Sequence, residues 1–116
     1  MNGNEARAER ADDRRLTSLI GLCRRAGRLG CGTEKILAVL KAGGAALVLL
    51  ASDPSERTRK LLTDKCASGS VRLLVLPLTK AELGHACGLD ELSGCAVTDP
   101  GFAKAIAALA GDTQSE

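Results

Sequence analysis

Residues 45–51 read AALVLLA, and residues 52–56, SDPSE, follow directly. The apolar run is short, bounded by glycines on one side and a proline on the other, and does not alternate with polar residues. Those features predict a strand covered on both faces. The residues after it predict a helix start, with Asp53 as cap, Pro54 at the first helical position and Glu56 closing a capping box. A buried strand that passes at once into a helix is the repeating unit of an α/β fold.

Working toward the N-terminus, the glycine pair Gly43-Gly44 closes a helix expected over residues 33–42, with Ile36, Val39 and Leu40 facing inward. Residues 28–31 read as a short extended connection. Before them Leu16, Leu19, Ile20, Cys23 and Ala26 recur at helical spacing among Arg14, Arg15, Arg24 and Arg25, and Gly27 predicts the stop. Toward the C-terminus, the helix opened near Asp53 should run to about Ala67 over Leu61, Leu62 and Cys66. Residues 71–76 form the next strand. Thr79-Lys80-Ala81-Glu82 is a capping box opening a short helix that ends near Gly88. Residues 95–97 are a third strand, and Asp99-Pro100 starts a last helix over Phe102, Ile106 and Leu109. The expected architecture is α/β: a single-domain, three-layer α/β/α sandwich with a small central mixed sheet of three or four strands. The folded domain is expected over residues 14–110, with residues 1–13 a polar arm or linker and 111–116 a frayed tail.

Composition narrows the function. Of 116 residues only Phe102 is aromatic, which excludes RNA-binding designs that stack bases on aromatic platforms. The net charge of +2 hides an asymmetry: residues 14–65 hold 11 Lys/Arg against 4 Asp/Glu, a net of +7, while the flanks carry −2 and −3. One basic half on a nearly neutral chain suggests a face for a polyanion. No stretch resembles a signal peptide or is long and apolar enough to span a bilayer, so a cytoplasmic protein with no membrane partner is expected. The five cysteines, Cys23, Cys31, Cys66, Cys87 and Cys95, include no CxxC pair, so reduced thiols serving mostly as small buried hydrophobes are expected.

Enzyme signatures do not assemble. GxxxxGK[ST] is absent, and Gly30-Cys31-Gly32 lacks the third glycine of a dinucleotide turn, with Lys35 in its place. His85 and Cys87 point about 200° apart on a helix and do not converge on a metal. Asp90 and Glu91 are adjacent loop residues that face different ways. The expectation is no catalytic residue, no metal and no cofactor.

Five segments in order, LTSLIGLCRRAGRL, GTEKILAVLKAG, ALVLLASDPSERTRKLLTDKC, KAELGHACG and CAVTDPGFAKAI, resemble the ribosomal protein L-seven-Ae family, in its bacterial YlxQ-like branch. The resemblance covers residues 14 to about 109. It implies the α/β/α sandwich reached above and, as function, binding of kink-turn or internally looped RNA, with ribosomal or other translation- or transcription-associated partners. It further implies an RNA-facing site at the glycine turn and N-terminus of the second helix. Arg28, Gly32, Thr33, Glu34, Lys35 and Lys41 correspond to that region, and Arg24 or Arg25 could join from the first helix. A helix N-terminus suits this task because its unpaired amides and positive dipole end attract phosphate.

The family pattern has Asn where this chain has Glu34, Glu where it has Lys35, and Lys where it has Ala38; Gly32 and Thr33 match. Glu34 cannot donate a hydrogen bond as Asn does, and it repels phosphate. A second RNA-facing loop corresponds to residues 89–93, where Leu89 and Leu92 could pack on bases or fold back onto the core. The basic stretch Arg57, Arg59 and Lys60 reads as a solvated helix face. The alternative function is a protein-interaction module on the same fold with degenerate RNA specificity. A third reading is the substrate-binding part of an RNA-modifying enzyme, which would need a catalytic domain beyond this chain. A monomer is expected, because no exposed apolar seam is apparent.

Overall fold

β2 (Leu47–Leu50) is the strand at the heart of the chain, and all four of its residues are buried. The computed structural model describes the backbone of residues 3–110 and the side chains of residues 12–110. Around β2 stand α1 (Gly3–Arg25), β1 (Leu29–Cys31), α2 (Thr33–Lys41), α3 (Glu56–Ser68), β3 (Leu73–Val75), α4 (Lys80–Ala86), β4 (Gly94–Val97) and α5 (Pro100–Leu109). The strands form one sheet in the order β1-β4-β2-β3. β4 runs antiparallel to both β1 and β2, while β2 and β3 are parallel, so the sheet is mixed.

The unbroken apolar character of β2 follows from helices on both faces. Leu47 and Leu49 point into a cluster with Leu16, Ile20, Leu83, Cys95, Val97 and Ile106, which draws on α1, α4 and α5. Val48 and Leu50 point the other way, onto Ile36, Leu62, Cys66 and Ala96 under α2 and α3. Each fully buried Leu or Ile contributes roughly 1.5–3 kcal/mol of burial free energy, so the two layers hold the sheet from both sides. The three-layer architecture expected from the sequence is therefore present, with four strands in its mixed sheet.

Several boundaries differ from the sequence reading. Residues 29–31 form an edge strand in register with β4, where a plain connection was expected. Its three residues offer too short an alternation to register as a strand. α3 begins at Glu56 with Ser55 as its N-cap, whose hydroxyl accepts from the Thr58 amide at 3.1 Å. Asp53 is used elsewhere: its Oδ1 accepts from the Lys80 amide at 2.7 Å and so ties the loop after β2 to the start of α4. Glu56 pairs with Arg59 at 3.2 Å instead of closing a box. α1 is helical from Gly3, through most of the segment the sequence sets apart as an arm. That segment is rich in Ala, Arg and Glu, good helix formers, but lacks the apolar stripe by which periodicity detects a helix. The expected tail, residues 111–116, lies outside the described residues. Val39, Leu40, Phe102 and Leu109 are half-buried at the rims of their clusters.

The closest approach in the core is at Gly94, the first residue of β4. A Cβ there would stand 2.6 Å from the Leu49 carbonyl oxygen and 3.4 Å from Ile36 Cδ1. Replacing Gly94 by Ala should lower stability by about 1–3 kcal/mol through forced backbone shifts. Gly44→Ala is the control, because its Cβ would meet nothing nearer than 3.8 Å. Urea unfolding of the two variants measures the difference.

Candidate functional site

The strand directions gather four loops at one end of the sheet. β1, β2 and β3 finish there, and β4 starts there. Backbone hydrogen bonds stitch the loops together. The Gly32 amide donates to the Gly94 carbonyl at 3.1 Å, the Ala51 amide to Ser93 at 2.8 Å, the Ser52 amide to Leu78 at 2.7 Å and the Leu92 amide to Lys80 at 3.0 Å. α2, α3 and α4 all point their N-termini toward this end.

Two of these helix starts are closed by side chains. Ser55 caps α3. Thr79 caps α4 in a full capping box, its hydroxyl accepting from the Glu82 amide at 3.1 Å while Glu82 Oε1 accepts from the Thr79 amide at 2.9 Å. α2 is different. Its N-cap is Gly32, with φ 97 and ψ 158, and no side chain caps it. The first helical backbone bond runs from the Ile36 amide to the Gly32 carbonyl at 2.9 Å, so the amides of Thr33, Glu34 and Lys35 precede the regular ladder. Nothing lies within 4 Å of where a Gly32 Cβ would be. The backbone at this turn is therefore open to close approach, and its left-handed conformation is one that L side chains rarely adopt.

The residues expected at the site divide into two groups. Gly32, Thr33, Glu34 and Lys35 lie together at the α2 start, Thr33 half-buried and Glu34 and Lys35 exposed. The stem of Lys35 packs over Gly30, where a Cβ would stand 3.6 Å from its Cβ and Cγ, leaving the ammonium free to reach outward. Arg28 is at the other end of β1, four residues or ~13 Å of extended chain from Gly32. Lys41 is in the last turn of α2, eight residues or ~12 Å of helix from Thr33. Because β1 runs toward the turn and α2 runs back from it, both cations stand away from the Gly32 turn. Arg24 is better placed, since its charge acts on the thiol of Cys31, the residue before Gly32.

The loop between α4 and β4 splits similarly. Leu89 is 41 % exposed, whereas Leu92 is 6 % exposed and belongs to the core. Asp90 and Glu91 are exposed beside them. A Cβ on Gly84 would fall 2.7 Å from Glu91 Cα, so α4 packs directly on the loop backbone and fixes its position. Elsewhere, Arg57, Arg59 and Lys60 are exposed on α3, with Lys60 3.4 Å from Asp64, in keeping with a solvated face. His85 is exposed while Cys87 is buried, and no group of three metal-ligating side chains is present among the described residues. No helix of the described residues is long and apolar enough to cross a membrane. A groove of about 620 Å³ lies between α1 and α4, lined by Arg14, Arg25, Glu82 and His85 among others.

Residues 14–107 match the model of the ribosomal protein L7Ae/L30e/S12e/Gadd45 family. The chain belongs to this family. Curated relatives include the RNA-binding protein YlxQ of Bacillus subtilis, 35% identical over 91 residues, which are 78% of this chain and 90% of that protein. YlxQ of Enterococcus faecium is 36% identical over 87 residues, 75% of this chain and 82% of that one. A solved Bacillus halodurans protein of unknown function superposes with a TM-score of 0.75 at 37% identity, covering 81% of this chain and 94% of that one. The Giardia lamblia 15.5kD RNA binding protein shares the fold, with a TM-score of 0.70 at 19% identity over 86% of this chain and 85% of its own.

The family match spans every strand and α2 to α4, so the Gly32 turn and the 88–93 loop both lie inside it. Sequence reasoning passed over Gly84 and Gly94, which hold that loop against α4 and β2. The available signal was an isolated glycine within a helical pattern and another at the head of an apolar run.

The cysteines respond to their surroundings. Burial pushes the Cys23 thiol up to about 11, with Asp99 and Cys31 adding to it. Burial also raises Cys66 and Cys95. A thiol whose folded-state value lies above its unfolded value of 9.0 gives stability that is complete below that value and is lost as pH rises toward the folded one. Urea midpoints should therefore fall between about pH 8 and about pH 10.5, because the unfolded chain releases these protons first. An unchanged midpoint would mean that the thiols ionise without unfolding cost.

Proposed function

We propose that this chain binds RNA through the Gly32 turn at the start of α2, with the neighbouring 88–93 loop as a second contact, and that its target is a kinked or internally looped RNA. The observation that carries the reading is the uncapped helix start. At an end of the sheet where α3 and α4 are closed by Ser55 and Thr79, α2 leaves its first amides without a side-chain cap behind a glycine with φ 97. Such a terminus takes phosphate through its amides and dipole. Membership of the L7Ae/L30e/S12e/Gadd45 family, and relatives named as RNA-binding proteins, support RNA as the polyanion.

In this reading Gly32 and Thr33 present backbone, Lys35 and Arg24 meet phosphate, Glu34 faces the bases and Leu89 packs on an unstacked base or sugar. Glu34 can accept from a base amino group but cannot donate. Arg28 and Lys41, set back from the turn, add attraction that salt screens readily. Leu92 acts from the core, by holding the loop. The reaction class is binding without catalysis, and the RNA is expected to belong to the ribosome or to translation or transcription machinery in the cytoplasm, with the protein acting as a monomer.

A second reading rests on a specific observation: Glu34, Asp90 and Glu91 are all exposed on the segments that form the proposed contact. They would suit a basic protein partner, making this end a protein-interaction surface.

Titrating a fluorescent kink-turn RNA against a straight duplex of equal length separates the two. Binding that prefers the kinked RNA and weakens roughly 40-fold from 50 to 200 mM salt, as about three phosphate contacts would produce, supports the RNA reading. Lys35→Ala should lower the salt slope by about 1 and weaken binding to all sequences. Gly32→Val should abolish the preference for kinked RNA through ~1–3 kcal/mol of backbone strain at the turn. Normal affinity in a folded Gly32→Val protein would remove the turn from the site, and equal weak binding to both RNAs would favour the protein-interaction reading.

A further inference from the structure

Four of the five cysteines meet on one face of the sheet, a placement the RNA reading does not use. Cys23 of α1, Cys87 at the end of α4 and Cys95 of β4 are buried in the same cluster, and Cys31 of β1 packs against it, half-exposed. Cys31 sits opposite Cys95 in the β1–β4 register. Its thiol neighbours that of Cys87 in this cluster, and the Arg24 charge acts on both. A Cβ on Gly88, the residue after Cys87, would stand 3.9 Å from Arg24 Nη1, which brings that guanidinium to the end of α4 where Cys87 sits. A half-exposed thiol beside a guanidinium, with a second thiol in contact, has the parts of an oxidisable pair: an attacking sulfur, a charge to hold it as thiolate, and a resolving sulfur.

We propose that Cys31 and Cys87 form an oxidisable thiol pair, in which Cys31 reacts with a peroxide-class oxidant and Cys87 resolves it to an intramolecular disulfide. In the first step the Cys31 thiolate attacks one peroxide oxygen. The O–O bond breaks, and the departing hydroxide is protonated to water, which leaves Cys31 as a sulfenic acid. In the second step the Cys87 sulfur attacks the Cys31 sulfur. The S–O bond breaks, and the hydroxide leaves as water with the Cys87 proton. Two thiols and one hydrogen peroxide give one disulfide and two waters, each sulfur losing one electron.

The local electrostatics agree with these roles. The hydrogen bond from Cys87 lowers the Cys31 thiol to about 6, Arg24 adds to the effect, and partial burial opposes it. The same hydrogen bond, with burial, raises Cys87, as suits a resolving thiol that stays protonated until it is used. Cys95 is the poorer partner. Burial holds it protonated, and it is fixed in a strand hydrogen-bonded on both sides. Cys87 is the C-cap of a seven-residue helix, followed by Gly88 with φ 74. At a helix end and outside the sheet ladder, it is the partner that would close toward the ~2.05 Å of an S–S bond. The bond would join the residue before the Gly32 turn to the residue before the 88–93 loop, independently of whether either touches RNA.

The test uses the reduced full chain, treated with hydrogen peroxide, quenched with N-ethylmaleimide and mapped by mass spectrometry. The expected result is a monomer lighter by two hydrogens, with one peptide pair joining Cys31 to Cys87. Cys87→Ser should stop at a Cys31 sulfenic acid that dimedone captures, while Cys31→Ser should leave the remaining thiols free. Iodoacetamide labelling of Cys31 should show a pH midpoint near 6, moving upward in Arg24→Gln. A disulfide between any other pair, an intermolecular dimer, or a Cys31 that stays reduced while the chain remains folded overturns the proposal.

Discussion

The Leu49 carbonyl would stand 2.6 Å from a Cβ on Gly94, and this contact sets how β4 enters the sheet between β1 and β2. Gly94 is at once the partner of Leu50 in the β2–β4 ladder, the acceptor of the Gly32 amide, and the floor under Ile36 of α2. A side chain there would displace the strand or lift the helix, and the Gly32 turn would move with either. The position of the uncapped helix start thus depends on a residue that contributes no side chain. Gly84 plays the matching part across the sheet end, letting α4 lie directly on the backbone of the 88–93 loop.

A core with almost no aromatic residues makes such contacts affordable. Val, Ile and Leu are compact and branched, and Ala and Cys are small, so helices and sheet approach closely, and the interior must be filled by many modest side chains at high density. At Gly21 a Cβ would stand only 3.0 Å from the Ala86 carbonyl, where α1 crosses α4. The cysteines belong to this packing, four of them buried as small hydrophobes. Cys31 differs because the edge strand β1 leaves it half-exposed and the last turn of α1 brings Arg24 over it.

The proposed contact surface is open. The groove between α1 and α4 has the volume of a small-molecule site, but it lies apart from the uncapped helix and mixes Arg14, Arg25 and His85 with Glu82. The Gly32 end offers exposed backbone, a cation on a packed stem and an exposed leucine on an adjacent loop, the parts needed to meet a shaped macromolecule. On the proposed reading, its acidic members, Glu34, Asp90 and Glu91, would call for donors from that partner, and Lys35 and Arg24 for negative charge.

Local chemistry made much of the fold legible in the sequence. The run AALVLLA had to be buried on both faces, Thr79 and Asp99 had to cap, and the glycines after α1, α2 and α4 had to stop helices, because each depends on neighbours within a few residues. The Gly32-Thr33 turn was singled out by the family resemblance, whose motif it matches, while Lys35 departs from that motif. The rest depended on residues distant in sequence. Asp53 looks like a cap for the helix beside it, yet it binds the Lys80 amide 27 residues on. Residues 29–31 become a strand only because β4 supplies the ladder. That strand separates Arg28 from the turn, and Leu92 is drawn into the core while Leu89 is left outside. Apart from β1 and the start of α1, the sequence alone determined which elements form and where they begin and end to within a few residues, since propensity, capping and periodicity are short-range. Only the tertiary structure decided which charges, thiols and loop residues share one end of the sheet, since strand order and packing bring together groups that no local pattern connects.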